Sequence, residues 1–454
     1  MDNLFHSVYL NKNKCMGCTT CLRNCPTGAI RIRGGKATII ENKCIDCGEC
    51  IRICPHHAKL ARTDPVSIIE QYRYRVAIPA PTLLGQFKHR YSSDQILSAL
   101  KSAGFDEVVE VAKGAEIVGR SLEYEYENFA EDMPMISSAC PAVSKLIQVR
   151  FPELVGNITT LKSPMTVTAR MVRERLISHS EDNGLKDEDI GIFFITPCAA
   201  KATEVARSMV EGDPMDRING AISIKDLFRQ LSAVIGRKDC ETGLHKASAE
   251  GFSWAVSGGE SSYLKEERRS LHVDGISNVI SVLDEIECGK LSSIEFFEGL
   301  ACIGGCVGGC LTVENNFVAK MRIEMRAEQE REMDFPQMPE EELRALYDSG
   351  IMHREEPLQP RAFKPLDDDI GKAIEKMRMI DEIEATLPGL DCGSCGAPSC
   401  RAFAEDIVKG FARKIDCIFI LRDRVKALSR LTNEMLQTGQ PVSSEEEEDT
   451  DESE

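Results

Sequence analysis

Apolar positions along the chain change period several times, and each period predicts a different element. Residues 29–40 read AIRIRGGKATII, which predicts two short strands joined at Gly34-Gly35 as a hairpin. From Tyr74 to about Lys320, short apolar runs such as VAIPA (76–80) and DIGIFFITPC (189–198) alternate with helical stretches such as DQILSALKSAG (94–104). Apolar runs without alternation suit strands covered on both faces, so this stretch predicts an α/β domain with buried parallel strands. Cys198 falls where one of those strands should end, the place where open α/β sheets hold ligands. From about Glu328 to Asp381 the chain is charge-rich, with helical fragments such as PEEELRAL, and reads as a spacer. Farther on, Leu421, Val425, Leu428, Thr432 and Met435 recur at four–three spacing. That stripe suits helix packing on the same chain or a homodimer seam through residues 421–436.

The 454 residues carry a formal charge of −18, with 42% hydrophobic residues. So acidic a chain argues against nucleic acid, whose phosphates need a basic surface. Part of the charge is the terminal run SSEEEEDTDESE, which reads as a solvated, disordered tail (441–454). The first residues lack the pattern of a signal peptide and no apolar run reaches membrane-spanning length, so a cytoplasmic protein without a membrane segment is expected. In a reducing compartment the 19 cysteines read as metal ligands rather than disulfides.

Their spacing sharpens this. CMGCTTCLRNCP (15–26) and CIDCGECIRICP (44–55) both follow C-x2-C-x2-C-x3-C-P, the two-cluster bacterial ferredoxin pattern. Three thiolates of one loop reach three corners of a cubane, and the fourth crosses to the other cluster. The expected sets are Cys15, Cys18, Cys21 and Cys54, and Cys44, Cys47, Cys50 and Cys25. Near the C-terminus Cys392, Cys395, Cys400 and Cys417 make C-x2-C-x4-C-x16-C. This resembles the small four-iron domain of corrinoid iron–sulfur proteins and of some membrane electron-transfer subunits, and implies a further [4Fe-4S] cluster. Such clusters fit an anaerobic setting.

Three central segments, SSACPAV (137–143), TPCAAKATE (196–204) and EGLACIGGCVGGC (298–310), resemble the signature loops of iron-only ([FeFe]) hydrogenases. The resemblance implies a cubane on Cys140, Cys198, Cys302 and Cys306. It implies that Cys306 also bridges to a two-iron subsite carrying carbon monoxide, cyanide and an azadithiolate. Lys201 would donate to a cyanide, Glu204 would support its loop, and Ala80, Pro81 and Thr82 would stand beside the dithiolate. WAVSGG (254–259) resembles another pocket stretch through Ser257, Gly258 and Gly259. Gly304-Gly305 and Gly308-Gly309 are expected to let backbone approach the inorganic group. Cys310 reads as a small buried residue or a spare thiol, Cys240 and Cys288 as core or surface thiols, His245 as structural or exposed, and Trp254 as core.

Departures from the family pattern are equally informative. Ala139 replaces the proton-transferring Cys, Thr196 and Leu300 replace methionines, and Ala142-Val143 replace Gly-Trp. Cys310, Leu311 and Thr312 stand at the last glycines and the Gln of the third loop. A methyl group cannot move a proton, and losing such a step costs about 10²–10⁴-fold. Together these changes resemble the divergent sensory hydrogenases.

The implied organisation is a ferredoxin-like α+β module (1–65), a hydrogenase-like α/β domain (70–325), a charged helical spacer (326–380), a small helical cluster domain (381–420), a short coiled-coil-like helix (421–440) and the tail. The implied function is slow, reversible H2 oxidation and proton reduction with a sensing role. Its partners would be H2, protons, ferredoxin or another redox or signalling protein, and H-cluster maturation proteins. A catalytic ferredoxin-linked hydrogenase and a non-enzymatic scaffold lacking the two-iron subsite are the alternatives.

Overall fold

The computed structural model describes residues 5–130, 134–180, 184–237, 240–331, 333, 335–361 and 366–438. The acidic tail lies outside them.

The N-terminal module is built from four short strands. β1 (Val8–Leu10) pairs antiparallel with β4 (Lys59–Ala61), and β2 (Ile30–Arg33) pairs antiparallel with β3 (Lys36–Ile39). Gly34 and Gly35 both take positive φ, 55° and 71°, which the tight turn of this hairpin requires. Short helices Thr20–Arg23 and Glu49–Arg52 lie within the two cysteine runs.

The central domain holds two parallel sheets. One has the order β6-β5-β8-β9, with β5 Tyr74–Pro79, β6 Glu107–Val108, β8 Ile190–Thr196 and β9 Gly220–Ser223. The other runs β10-β11-β7, with β7 Met135–Ile136, β10 Ser270–Asp274 and β11 Phe296–Leu300. Every residue of β8 is buried, as its unbroken apolar run predicts for a strand covered on both faces. Parallel pairing sends the strands' carboxyl ends the same way. Ala80-Pro81-Thr82 follow β5, the Cys140 loop follows β7, Pro197-Cys198 follow β8, and Ala301-Cys302 follow β11. The topology thus delivers each signature loop from a strand end.

Within the segment read as a spacer, helix Glu340–Asp348 buries Leu343 and Tyr347 beside Leu122, Met135, Trp254 and Phe296, so this stretch contributes to the central core. The C-terminal module packs helix Ile370–Ala385 against helix Cys400–Val408 and docks on the ferredoxin hairpin. There Ile32 N donates to Gly396 O at 2.9 Å, and Asp406 accepts from Arg31 Nε at 2.7 Å and from Arg33 Nη2 at 2.5 Å. The last helix, Ile418–Thr438, leaves its stripe exposed, with Val425 55% and Leu428 63% accessible. Among the described residues, no helix is long and apolar enough to cross a membrane.

His245 is structural. Its Nδ1 lies 2.7 Å from Glu110 and its Nε2 2.5 Å from Glu330, tying the start of helix Val111–Asn128 to the end of helix Asn316–Glu330. The two carboxylates raise its pKa from 6.5 to about 10 against the opposing effect of burial. The stabilisation from the charged ring is therefore complete below pH 6.5 and lost as pH rises through about 10. His245→Gln is expected to cost about 3 kcal/mol at neutral pH, the typical loss on breaking a buried pair. Anaerobic unfolding curves at pH 7 and pH 10 check this, because the wild-type advantage should shrink at the higher pH.

Candidate active site

Between the strand ends lies a cavity of about 780 Å³ lined by Cys140, Cys198, Cys302 and Cys306 together with Lys201. Each cysteine arrives by a distinct local device. Cys140 caps helix Pro141–Arg150, with Pro141 at its first turn. Cys198 caps helix Ala199–Glu211, and its N–H donates to Thr196 Oγ1 at 3.1 Å. Thr196 therefore acts on the loop, where the family pattern has a methionine. Cys302 and Cys306 flank Gly304-Gly305 after β11.

Burial pushes the thiol of Cys302 up to about 11, and pushes those of Cys198 and Cys306 well up. The other thiols of the set add to this by mutual repulsion of their charged forms. Such a group becomes thiolate only beside a strong positive charge, which a cluster of iron ions supplies. Thr82 Oγ1 lines the same cavity, fully buried and without a protein partner. An orphaned polar group there fits a polar ligand rather than an apolar void. The donor set thus fits a cubane with an attached group.

Lys201 is held from behind by Glu204, with Nζ 3.0 Å from Oε2, and Ser163 Oγ donates to Glu204 Oε1 at 3.0 Å. Ala80, Pro81, Thr82 and Ala139 all line the cavity, as does Trp254. Ser257 and Glu204 do not. The Ser257 backbone instead packs on the third loop, where a Cβ on Gly305 would meet Ser257 N at 2.7 Å. A Cβ on Gly309 would meet Pro197 O at 2.2 Å. These two glycines therefore serve close loop-to-loop contact as well as the cavity wall. Cys310 is half-buried outside the cavity lining, against Gly48, where an added Cβ would come within 2.5 Å of its sulfur.

The other cysteines of the three runs lie in three further groups. Cys25 joins Cys44, Cys47 and Cys50 around one hollow of about 360 Å³. Cys21 lies in the electrostatic field of Cys15, Cys18 and Cys54. Cys392, Cys395, Cys400 and Cys417 line a third hollow of about 310 Å³. Cys240 is half-buried and Cys288 is exposed.

Sequence reasoning missed a buried acid pair behind Ala139. Ser137 Oγ accepts from Ala139 N at 3.1 Å and is hydrogen-bonded to Glu260 Oε2. Glu298 accepts from Gly258 N and Ser261 N, both at 2.9 Å. Burial raises both carboxyls; the two N–H donors oppose this at Glu298, while the Glu298 charge adds to it at Glu260, so Glu260 is the stronger proton holder of the pair. His272, exposed, stands opposite Glu298 in the register of β10 and β11. One signal was available: Glu298 is the lone charge in FFEGL, a fully buried strand.

A family model described as iron only hydrogenase large subunit, C-terminal domain, matches residues 73–268. Over that span the chain is similar to iron-only hydrogenases. A 4Fe-4S dicluster model matches residues 14–58 and an Fe-S cluster model residues 387–419, on either side of that span. The Periplasmic [Fe] hydrogenase large subunit of Nitratidesulfovibrio vulgaris is 27% identical over 369 residues, covering 67% of this chain and 86% of that protein. Iron hydrogenase 1 of Clostridium pasteurianum is 23% identical over 260 residues, 47% of this chain and 44% of that protein. Among solved structures, the apo [FeFe]-hydrogenase of Chlamydomonas reinhardtii aligns with a TM-score of 0.49 at 17% identity, over 65% of this chain and 95% of that one. The chain thus spans less than half the length of Iron hydrogenase 1 and most of the length of the periplasmic subunit.

Proposed function

We propose that the chain is a divergent [FeFe] hydrogenase that turns over H2 slowly and reversibly in a sensing or regulatory role. The observation that carries this is one cavity lined by Cys140, Cys198, Cys302, Cys306 and Lys201, with Ala139 at its wall. The four thiolates would hold the cubane, and Cys306 would also hold the two-iron subsite. When bound, that subsite supplies the chemistry of H2, split reversibly into two protons and two electrons. Lys201, braced by Glu204, would donate a hydrogen bond to an anionic ligand, and the buried, unpartnered Thr82 hydroxyl would meet another polar atom.

Proton movement falls to this chain's own groups. Ser137 is hydrogen-bonded to Glu260, whose electrostatic neighbour Glu298 faces His272 across the β10–β11 pair, and these groups would supply a route from the Ala139 backbone to the surface. It ends in a methyl rather than a titratable group, which supports a slow rate. Electrons would run through the ferredoxin clusters. The Cys395 loop sits on the hairpin, since Arg33 Nη1 donates to Cys395 O at 3.2 Å. This supports an order of C-terminal cluster, first ferredoxin cluster, second ferredoxin cluster and active-site cubane. The partner, a ferredoxin or a signalling protein, would meet the C-terminal end. The exposed stripe of helix Ile418–Thr438 supports a homodimer seam.

The test uses electron paramagnetic resonance. Anaerobic protein carrying its four cubanes and the two-iron subsite should reduce its own clusters under H2 and reoxidise under argon, whereas protein with cubanes alone should not. Identical behaviour of the two preparations contradicts the proposal. In the same preparations Cys417→Ser is expected to lose one cubane's share of iron and sulfide while the remaining clusters stay. Unchanged iron would contradict a fourth cluster on the Cys392–Cys417 set.

A further inference from the structure

The geometry points to Arg52 as a positioning residue that raises the reduction potential of the active-site cubane and so draws electrons from the second ferredoxin cluster. This rests on the cubane reading above.

Arg52 lies between Cys50 and Cys54, at the end of helix Glu49–Arg52. Its guanidinium reaches out of the ferredoxin module into the third signature loop. Nη1 stands 3.4 Å from Cys302 Sγ and 3.4 Å from Gly308 O. Nε and Nη2 hold the Glu49 carboxylate at 3.2 Å and 2.6 Å. The side chain is 25% exposed, so its field is only partly screened, and Cys302 itself is buried. Close by, Gly48 packs on Cys310, which seats the two loops directly on one another.

A guanidinium cannot lose its proton here, so it presents a fixed positive charge to a ligand sulfur. Cluster potentials respond to net charge and to hydrogen bonds on the sulfurs. One added electron makes the cubane more negative, and a nearby cation stabilises that reduced form. In the transfer the cluster on Cys44, Cys47, Cys50 and Cys25 loses one electron and the cubane gains it, with no bond made or broken. Glu49 opposes the effect, because its carboxylate offsets part of the Arg52 charge. The pair therefore predicts shifts of opposite sign.

The experiment is a potentiometric titration, followed by electron paramagnetic resonance, of protein reconstituted with iron and sulfide only. Arg52→Gln should leave about tenfold less reduced cubane at the wild-type midpoint, equivalent to ~59 mV for one electron. Glu49→Gln should move the midpoint the other way, and Arg52→Lys should restore part of the loss. If Arg52→Gln fails to load iron, the Glu49→Gln and Arg52→Lys titrations decide alone. Unmoved midpoints in fully loaded variants overturn the proposal. A wild-type protein with no cubane on the Cys140–Cys306 set would instead overturn the proposed function.

Discussion

Ala139→Cys is expected to raise H2 turnover of the fully reconstituted protein by about 10²-fold, the lower end of what a general acid contributes. The cavity wall at this position is a methyl group, and the residue's N–H is anchored to Ser137 Oγ. A thiol there would stand one residue pair from Glu260, which Ser137 already holds. A titratable group at this position is therefore expected to link the cavity to Glu260. The gain stays at the lower end because Thr196 and Leu300 still depart from the family pattern. Rates should be normalised to two-iron content. An unchanged rate at equal loading would mean that proton delivery to the cavity does not limit this protein.

Glu260→Gln is expected to lower residual turnover by about 10²-fold and to erase the gain of Ala139→Cys. The amide keeps a partner for Ser137 but cannot release a proton. Burial and the Glu298 charge raise Glu260, so its carboxyl holds the proton where an ordinary glutamate would have lost it. Lys201 acts in the opposite sense, and His272 favours the charged form of Glu298. Glu298→Gln removes the neighbouring charge, so Glu260 should ionise at lower pH and the alkaline limb of the pH–rate profile for proton reduction should move down. A Glu260→Gln protein that loads its clusters and turns over at the wild-type rate would contradict the relay.

Much of this architecture was legible because its signals are local. The run GIFFIT announces a strand covered on both faces, and Gly34-Gly35 announces a hairpin whose turn needs two positive φ angles. Doubled C-x2-C-x2-C-x3-C-P runs pin three ligands to one loop by spacing alone. The gathering of Cys140, Cys198, Cys302 and Cys306 was legible only through resemblance, since their convergence depends on how two sheets pack. Three features stayed hidden because they join residues far apart in sequence. Glu260 meets Ser137 across 123 positions, and Arg52 meets Cys302 across 250. The glycines of the third loop were expected to face an inorganic group. Gly305 and Gly309 also let the neighbouring loops close on one another, and nothing in GGCVGG distinguishes the two uses.

The most direct test of the central claim is infrared spectroscopy of anaerobically purified protein reconstituted with the two-iron subsite, first under argon and then under H2. Carbon monoxide and cyanide bands are expected that shift when H2 is admitted and return when it is removed. Full cubane loading with no such bands would contradict that claim, and would leave a chain that carries electrons without an H2 site.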